Sequence, residues 1–72
     1  MLPFFRKTLV RSQQIRSYEV TPSPTIGWEV FEHSDQVLVR RQTYRDWHRV
    51  ERIVTLWKRE IAELQDQGWR ES

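Results

Sequence analysis

The chain of 72 residues contains no cysteine, so neither a disulfide framework nor a thiolate metal site can stiffen it. Glycine is confined to Gly27 and Gly68, and both read as structural punctuation, so no Gly-rich phosphate-cradling loop is available. Uncharged apolar runs are only a few residues long, too short for a membrane-spanning helix. Histidine is limited to His33 and His48. His48 and Glu51 share a helix-compatible spacing of three with no third ligand placed beside them, and His33 next to Glu32 reads as exposed. Serines and threonines fall mostly at turns and caps, where their hydroxyls serve the local backbone. No nucleophile–base pair or convergent acid–base set is visible, so neither catalysis nor a metal or other cofactor is expected.

Against these absences stand four tryptophans and 12% aromatic residues, which argue for a packed domain rather than a disordered tail. A single small domain is all that this length allows, and its core must be thin. The net charge of +2 hides a strong segregation. Residues 1–17 carry Arg6, Lys7, Arg11 and Arg16 and no acid, whereas 18–39 carry Glu19, Glu29, Glu32 and Asp35 and no base. Seven bases against two acids then fill 40–59, and four acids against Arg70 fill 60–72. Ten of the twelve basic residues are arginine, the side chain suited to bidentate contacts with phosphate or carboxylate.

The acid-free N-terminal segment, residues 1–14, reads as a basic arm preceding a domain at 15–72. Three roles compete for the wider stretch 1–17: an adaptable arm packed on the domain or its partner, an organellar transit segment, or an amphipathic contact with an anionic membrane surface through Phe4, Phe5 and Leu9. No apolar stretch follows the charges as a secretory signal requires, so a cytoplasmic location is expected, with an organellar one as the alternative.

Period-two alternation from Ile15 to Thr21 marks a first strand, ended by Pro22 and Pro24. Gly27 opens a second near 28–33, with Trp28, Val30 and Glu32 on one side and Phe31 on the other. Ser34-Asp35-Gln36 lacks the glycine of a clean two-residue turn, and a β-branched third strand follows near 37–43. Trp47, Val50, Val54, Trp57, Ile61 and Leu64 then recur at alternating spacings of three and four, predicting one amphipathic helix near 44–67. Thr43 and Asp46 have the spacing of a capping box, and Gly68 followed by Trp69 has the pattern of a Schellman stop. The expected fold is therefore α+β: a three-stranded antiparallel meander packed by one long C-terminal helix.

Such a helix is longer than six- or seven-residue strands can cover, so Trp57, Ile61, Leu64 and Trp69 read as an overhang needing the arm or a second copy of the chain. Phe31 and Leu38 fall on the opposite sheet face and add to this candidate interaction surface. Arg40, Arg41, Arg45, Arg49, Arg52 and Arg59 form a candidate nucleic-acid surface, because a row of arginines can straddle phosphates and release condensed counterions. Bases crowd the first half of the helix and acids the second, the reverse of what the helix dipole favours. Either phosphates meet the basic half, or two helices pair antiparallel, basic half along acidic half. The expectation is a non-catalytic, self-associating module that binds nucleic acid. The alternative is a protein-interaction or scaffolding subunit, a homodimer through the amphipathic helix.

Overall fold

Extended backbone reaches further toward the N-terminus than the alternation at 15–21 suggests. In the computed structural model, which describes residues 4–72, β1 (Phe5–Arg11) precedes β2 (Gln14–Ser23), β3 (Gly27–Ser34) and β4 (Val37–Tyr44). The helix α1 (Trp47–Asp66) follows, and a two-residue strand β5 (Arg70–Glu71) closes the chain. All strands lie in one sheet of order β4-β3-β2-β1-β5, antiparallel throughout. The fold is α+β with one C-terminal helix, but the three-strand meander is corrected to five strands. Within the segment expected to be an arm, residues 5–11 are a full sheet member in register with β2, from Phe5 opposite Val20 to Arg11 opposite Gln14. Residues 1–3 of that segment lie outside the described residues.

Local chemistry explains the boundaries. Asp35 and Gln36 form a two-residue turn with φ of 52° and 68°, the left-handed conformation that the absent glycine would normally supply. Asp35 tolerates it because the neighbouring strand holds it twice. Its N–H donates to the Ile15 carbonyl at 2.7 Å, and its Oδ1 accepts from the Ile15 N–H at 2.8 Å. Between Glu32 and His33 the β3–β4 register slips, leaving Val39 as the extra residue of a bulge. Gly27 is required where β3 begins: with φ at 125°, a Cβ there would lie 2.8 Å from the Tyr44 carbonyl oxygen.

The helix starts three residues later than the Thr43–Asp46 capping box predicts. Thr43 is still in β4, paired with Glu29, so Asp46 itself is the N-cap, its Oδ1 accepting from the His48 N–H at 3.0 Å. The C-terminal stop is the Schellman arrangement expected at Gly68, whose φ is 100°. Trp69 N–H donates to the Leu64 carbonyl at 3.0 Å and Gly68 N–H to the Gln65 carbonyl at 3.1 Å.

Val50, Val54, Trp57, Ile61 and Leu64 are the buried stripe of α1. They pack on Leu9 of β1, Tyr18 and Val20 of β2 and Val30 of β3, with Phe5, Trp28, Tyr44, Trp47 and Ile53 half-buried around them. The expected overhang is thus covered within the chain. β1 brings Leu9 under the helix, and the reversal at Gly68 folds Trp69 back into the core, where it is only 5% exposed. β5 then hydrogen-bonds to β1, pairing Leu9 with Glu71 and Val10 with Arg70.

Because Leu9 is fully buried, Leu9→Ala is expected to cost about 2–5 kcal/mol in urea unfolding. A segment serving only as an arm would leave the midpoint unchanged. Gly68→Ala should cost about 1 kcal/mol, and Gly27→Ala distinctly more, since its Cβ would also strike backbone.

Candidate nucleic-acid interface

Successive residues of a strand face opposite sides of the sheet, and this divides the six candidate arginines. Arg40, paired with Glu32, lies on the helix side, where its guanidinium donates to Gln42 Oε1 at 2.9 Å and to the Tyr44 hydroxyl at 3.5 Å. Arg41, paired with Phe31, lies on the open face. It bridges Glu29 at 3.2 Å and sits over the Phe31 ring at 5.8 Å from its centroid. Arg41 therefore does not belong to the same surface as the helical arginines, a correction that follows from the strand period alone.

Arg45 lies just before the Asp46 N-cap, and Arg49, Arg52 and Arg59 lie on the helix. At about 100° per residue these three fall on the solvent side, away from the Val50–Leu64 stripe, and all four side chains are exposed. Arg49 to Arg59 spans about 15 Å of helix axis. Leu56, 56% exposed, interrupts this row, and Glu63 and Asp66 continue it toward the C-terminus at the same alternating spacing.

What sets these arginines apart from the bases of the N-terminal segment is what those bases do, although Lys58 and Arg70 are, among the described residues, exposed without such partners too. Arg6 pairs with Glu19 at 3.6 Å, and Lys7 with Glu71. Arg11 and Arg16 lie over the Trp69 ring, at 5.2 and 5.3 Å from its centroid, and Arg11 also donates to the Gln67 carbonyl at 3.2 Å. Every base of the acid-free segment thus has a structural partner within the fold. Among the described residues no salt bridge, side-chain hydrogen bond or cation–π contact engages Arg45, Arg49, Arg52 or Arg59.

The candidate interaction residues Trp57, Ile61, Leu64 and Trp69 are core, so the apolar helix stripe is covered within the chain and is not a free surface. Phe31 is half-buried beneath Arg41, and Leu38 remains 48% exposed on the edge strand β4.

Sequence reasoning missed a polar groove of about 400 Å³ on the helix side, lined by Arg16, Tyr18, Glu32, His33, Ser34, Val39 and Arg40. Tyr18 is 1% exposed and donates its hydroxyl to Glu60 at 3.0 Å. Burial, with the Glu60 carboxylate beside it, pushes the Tyr18 phenol up to about 12. Desolvation, followed by the charge of Glu60, raises the Glu32 carboxyl as well, and the nearby Arg40 and Arg16 only partly oppose this. Cross-strand register assembles the groove, which no local spacing signals. Among the described residues no group of three or more His, Asp or Glu side chains is placed to hold a metal ion. Among the described residues no helix is long and apolar enough to cross a membrane. The chain matches no family model, no curated protein and no solved structure.

Both raised values mean that the native state binds the proton more tightly than the unfolded chain. The contribution of Tyr18 to stability is therefore complete below pH 10 and is lost as pH rises to about 12. Tyr18→Phe should flatten that alkaline decline in urea midpoints measured from pH 8 to 12. The Glu32 contribution is complete below pH 4.5 and lost as pH rises through its native value, so its charge is a net cost at neutrality. Glu32→Gln should raise the urea midpoint at pH 7 and lose that advantage below pH 4.5.

Proposed function

We propose that this chain is a non-catalytic binding module whose solvent-facing helix surface, with Arg45, Arg49, Arg52 and Arg59, engages the phosphates of a nucleic acid. One contrast carries the reading: the bases of the first seventeen residues and Arg41 are satisfied inside the fold, whereas these four guanidiniums are exposed and unpartnered among the described residues. A planar guanidinium held ready on a rigid helix meets phosphate oxygens in pairs and displaces condensed counterions as it does so. Arg40, held by Gln42 and Tyr44 in the groove on the inner sheet face, is not counted in this surface. The helix itself is anchored by five buried side chains, so the arginines present a fixed spacing rather than a flexible tail. The acids Glu63 and Asp66 confine phosphate contact to the N-terminal half of the row.

Contact with three or four phosphates makes affinity fall about 40- to 150-fold between 50 and 200 mM salt for a duplex. Fluorescence anisotropy with a labelled oligonucleotide at both salt concentrations measures this. Replacing Arg49 and Arg52 together by Gln should reduce the logarithmic salt slope by about 1.8, while Arg41→Gln leaves it unchanged. Absence of binding at 50 mM salt overturns the reading.

A further inference from the structure

The charge order along the back of α1 costs the monomer something and is left unexplained by phosphate binding alone. The first helical turn holds no acid and the last no base, against the dipole at both ends. Phosphate contact requires Arg49, Arg52 and Arg59, but it does not require Glu63 and Asp66 to prolong the same row. Those five charges and Leu56 recur at spacings of three and four, so all six lie on one exposed stripe of the helix.

We infer that this stripe docks against the same stripe of a second copy of the chain, with the two helices antiparallel about a two-fold axis. Charge complementarity selects the register. Setting Arg52 opposite the partner's Glu63 also sets Arg49 opposite the partner's Asp66, and the symmetry repeats both pairs. The same register lays Leu56 along the aliphatic stem of the partner's Arg59, covering the only large apolar side chain that the helix exposes. A register centred on Leu56 would instead keep only the Arg49–Glu63 pairs and leave Arg52 and Asp66 without an opposite charge on the stripe. Parallel helices in register would oppose every charge with its own kind. Of these, only the antiparallel, offset arrangement opposes both Arg49 and Arg52 with acids, and it sets the two helix dipoles antiparallel. The contact is self-complementary, as a two-fold interface must be.

The surface is polar and its ion pairs stay close to water, so the association is weak and salt-sensitive. It also covers Arg49 and Arg52. The acidic half of the partner helix therefore competes with phosphate for one surface, a consequence that rests on the nucleic-acid reading, whereas the pairing itself does not.

Sedimentation velocity of the full chain at 25 and 300 mM salt, over tens to hundreds of micromolar protein, tests the pairing without nucleic acid. The expected result is a mass that rises with concentration at low salt and stays at one chain at high salt. Arg52→Glu and Glu63→Arg should each weaken self-association about tenfold or more, since each turns two attractive pairs repulsive. The double variant Arg52→Glu/Glu63→Arg should restore it, which also shows that the single variants had not simply unfolded. A single-chain mass at every low-salt concentration, or a double variant that fails to recover, overturns the pairing. A labelled 20-nucleotide duplex added to the low-salt dimer separates the two readings. Dissociation into single chains supports the shared surface. A salt-sensitive dimer that ignores the oligonucleotide leaves the pairing standing and removes the nucleic-acid reading. A single-chain protein that still binds the oligonucleotide does the reverse.

Discussion

Burial of one indole, Trp57, organises the molecule. Its ring stands 5.2 Å from Tyr18 of β2 and 6.0 Å from Phe5 of β1, and it is the largest side chain on the buried stripe of α1. A chain of this size has a thin core, so the stripe cannot leave its distal turns in water. That requirement explains the rest of the topology. β1 must lie beside β2 to place Leu9 under the helix, and the chain must turn back at Gly68 to bring Trp69 into the same core. Once Trp69 is there, Arg11 and Arg16 close over its ring, and β5 is drawn against β1.

The legible and illegible parts of the fold divide along physical lines. The helix announced itself because its stripe repeats over many turns, and the Gly68–Trp69 stop was legible because its signal is local. β2, β3 and β4 were legible from alternation, with Pro24 and Gly27 marking the break between β2 and β3, but β2 runs through Pro22 to Ser23 rather than ending before it. β1 was not, because the residues it turns toward the helix are Phe5, Lys7, Leu9 and Arg11. Two of these four are bases whose charged ends reach Glu71, the Gln67 carbonyl and the Trp69 ring, so the strand carries charge on its core side and no apolar alternation survives. The Ser12-Gln13 turn after it lacks glycine, proline, asparagine and aspartate, and Ser12 alone is a weak turn marker. The helix start was misplaced for a related reason: Thr43 suits both a cap and a strand, and the ladder to Glu29 claims it.

The site was legible in part for the same reasons. Periodicity correctly put Arg49, Arg52 and Arg59 together, since a helix keeps residues three and four apart on one side. Arg40 and Arg41 were grouped by adjacency, which the strand geometry undoes. The groove around Tyr18, Glu32 and Arg40 depends on pairing among β2, β3 and β4, and long-range register of that kind has no counterpart in local spacing.

The reversed charge order of α1 can persist because the backbone ends are satisfied by other groups. At the N-terminus the Asp46 carboxylate takes the His48 N–H and supplies a negative charge where the dipole is positive. At the C-terminus Arg11, delivered from β1, donates to the Gln67 carbonyl and places a positive charge where the dipole is negative. Both devices act from outside the helix proper, so the side chains along its back are released from that duty. The core binds one side of α1, and these two groups satisfy its ends. The remaining surface is under no demand from folding, and there the sequence has placed unpaired arginines followed by acids. A surface so free of packing duties is where selection for a ligand or a second copy can act at only the small electrostatic cost of opposing the dipole.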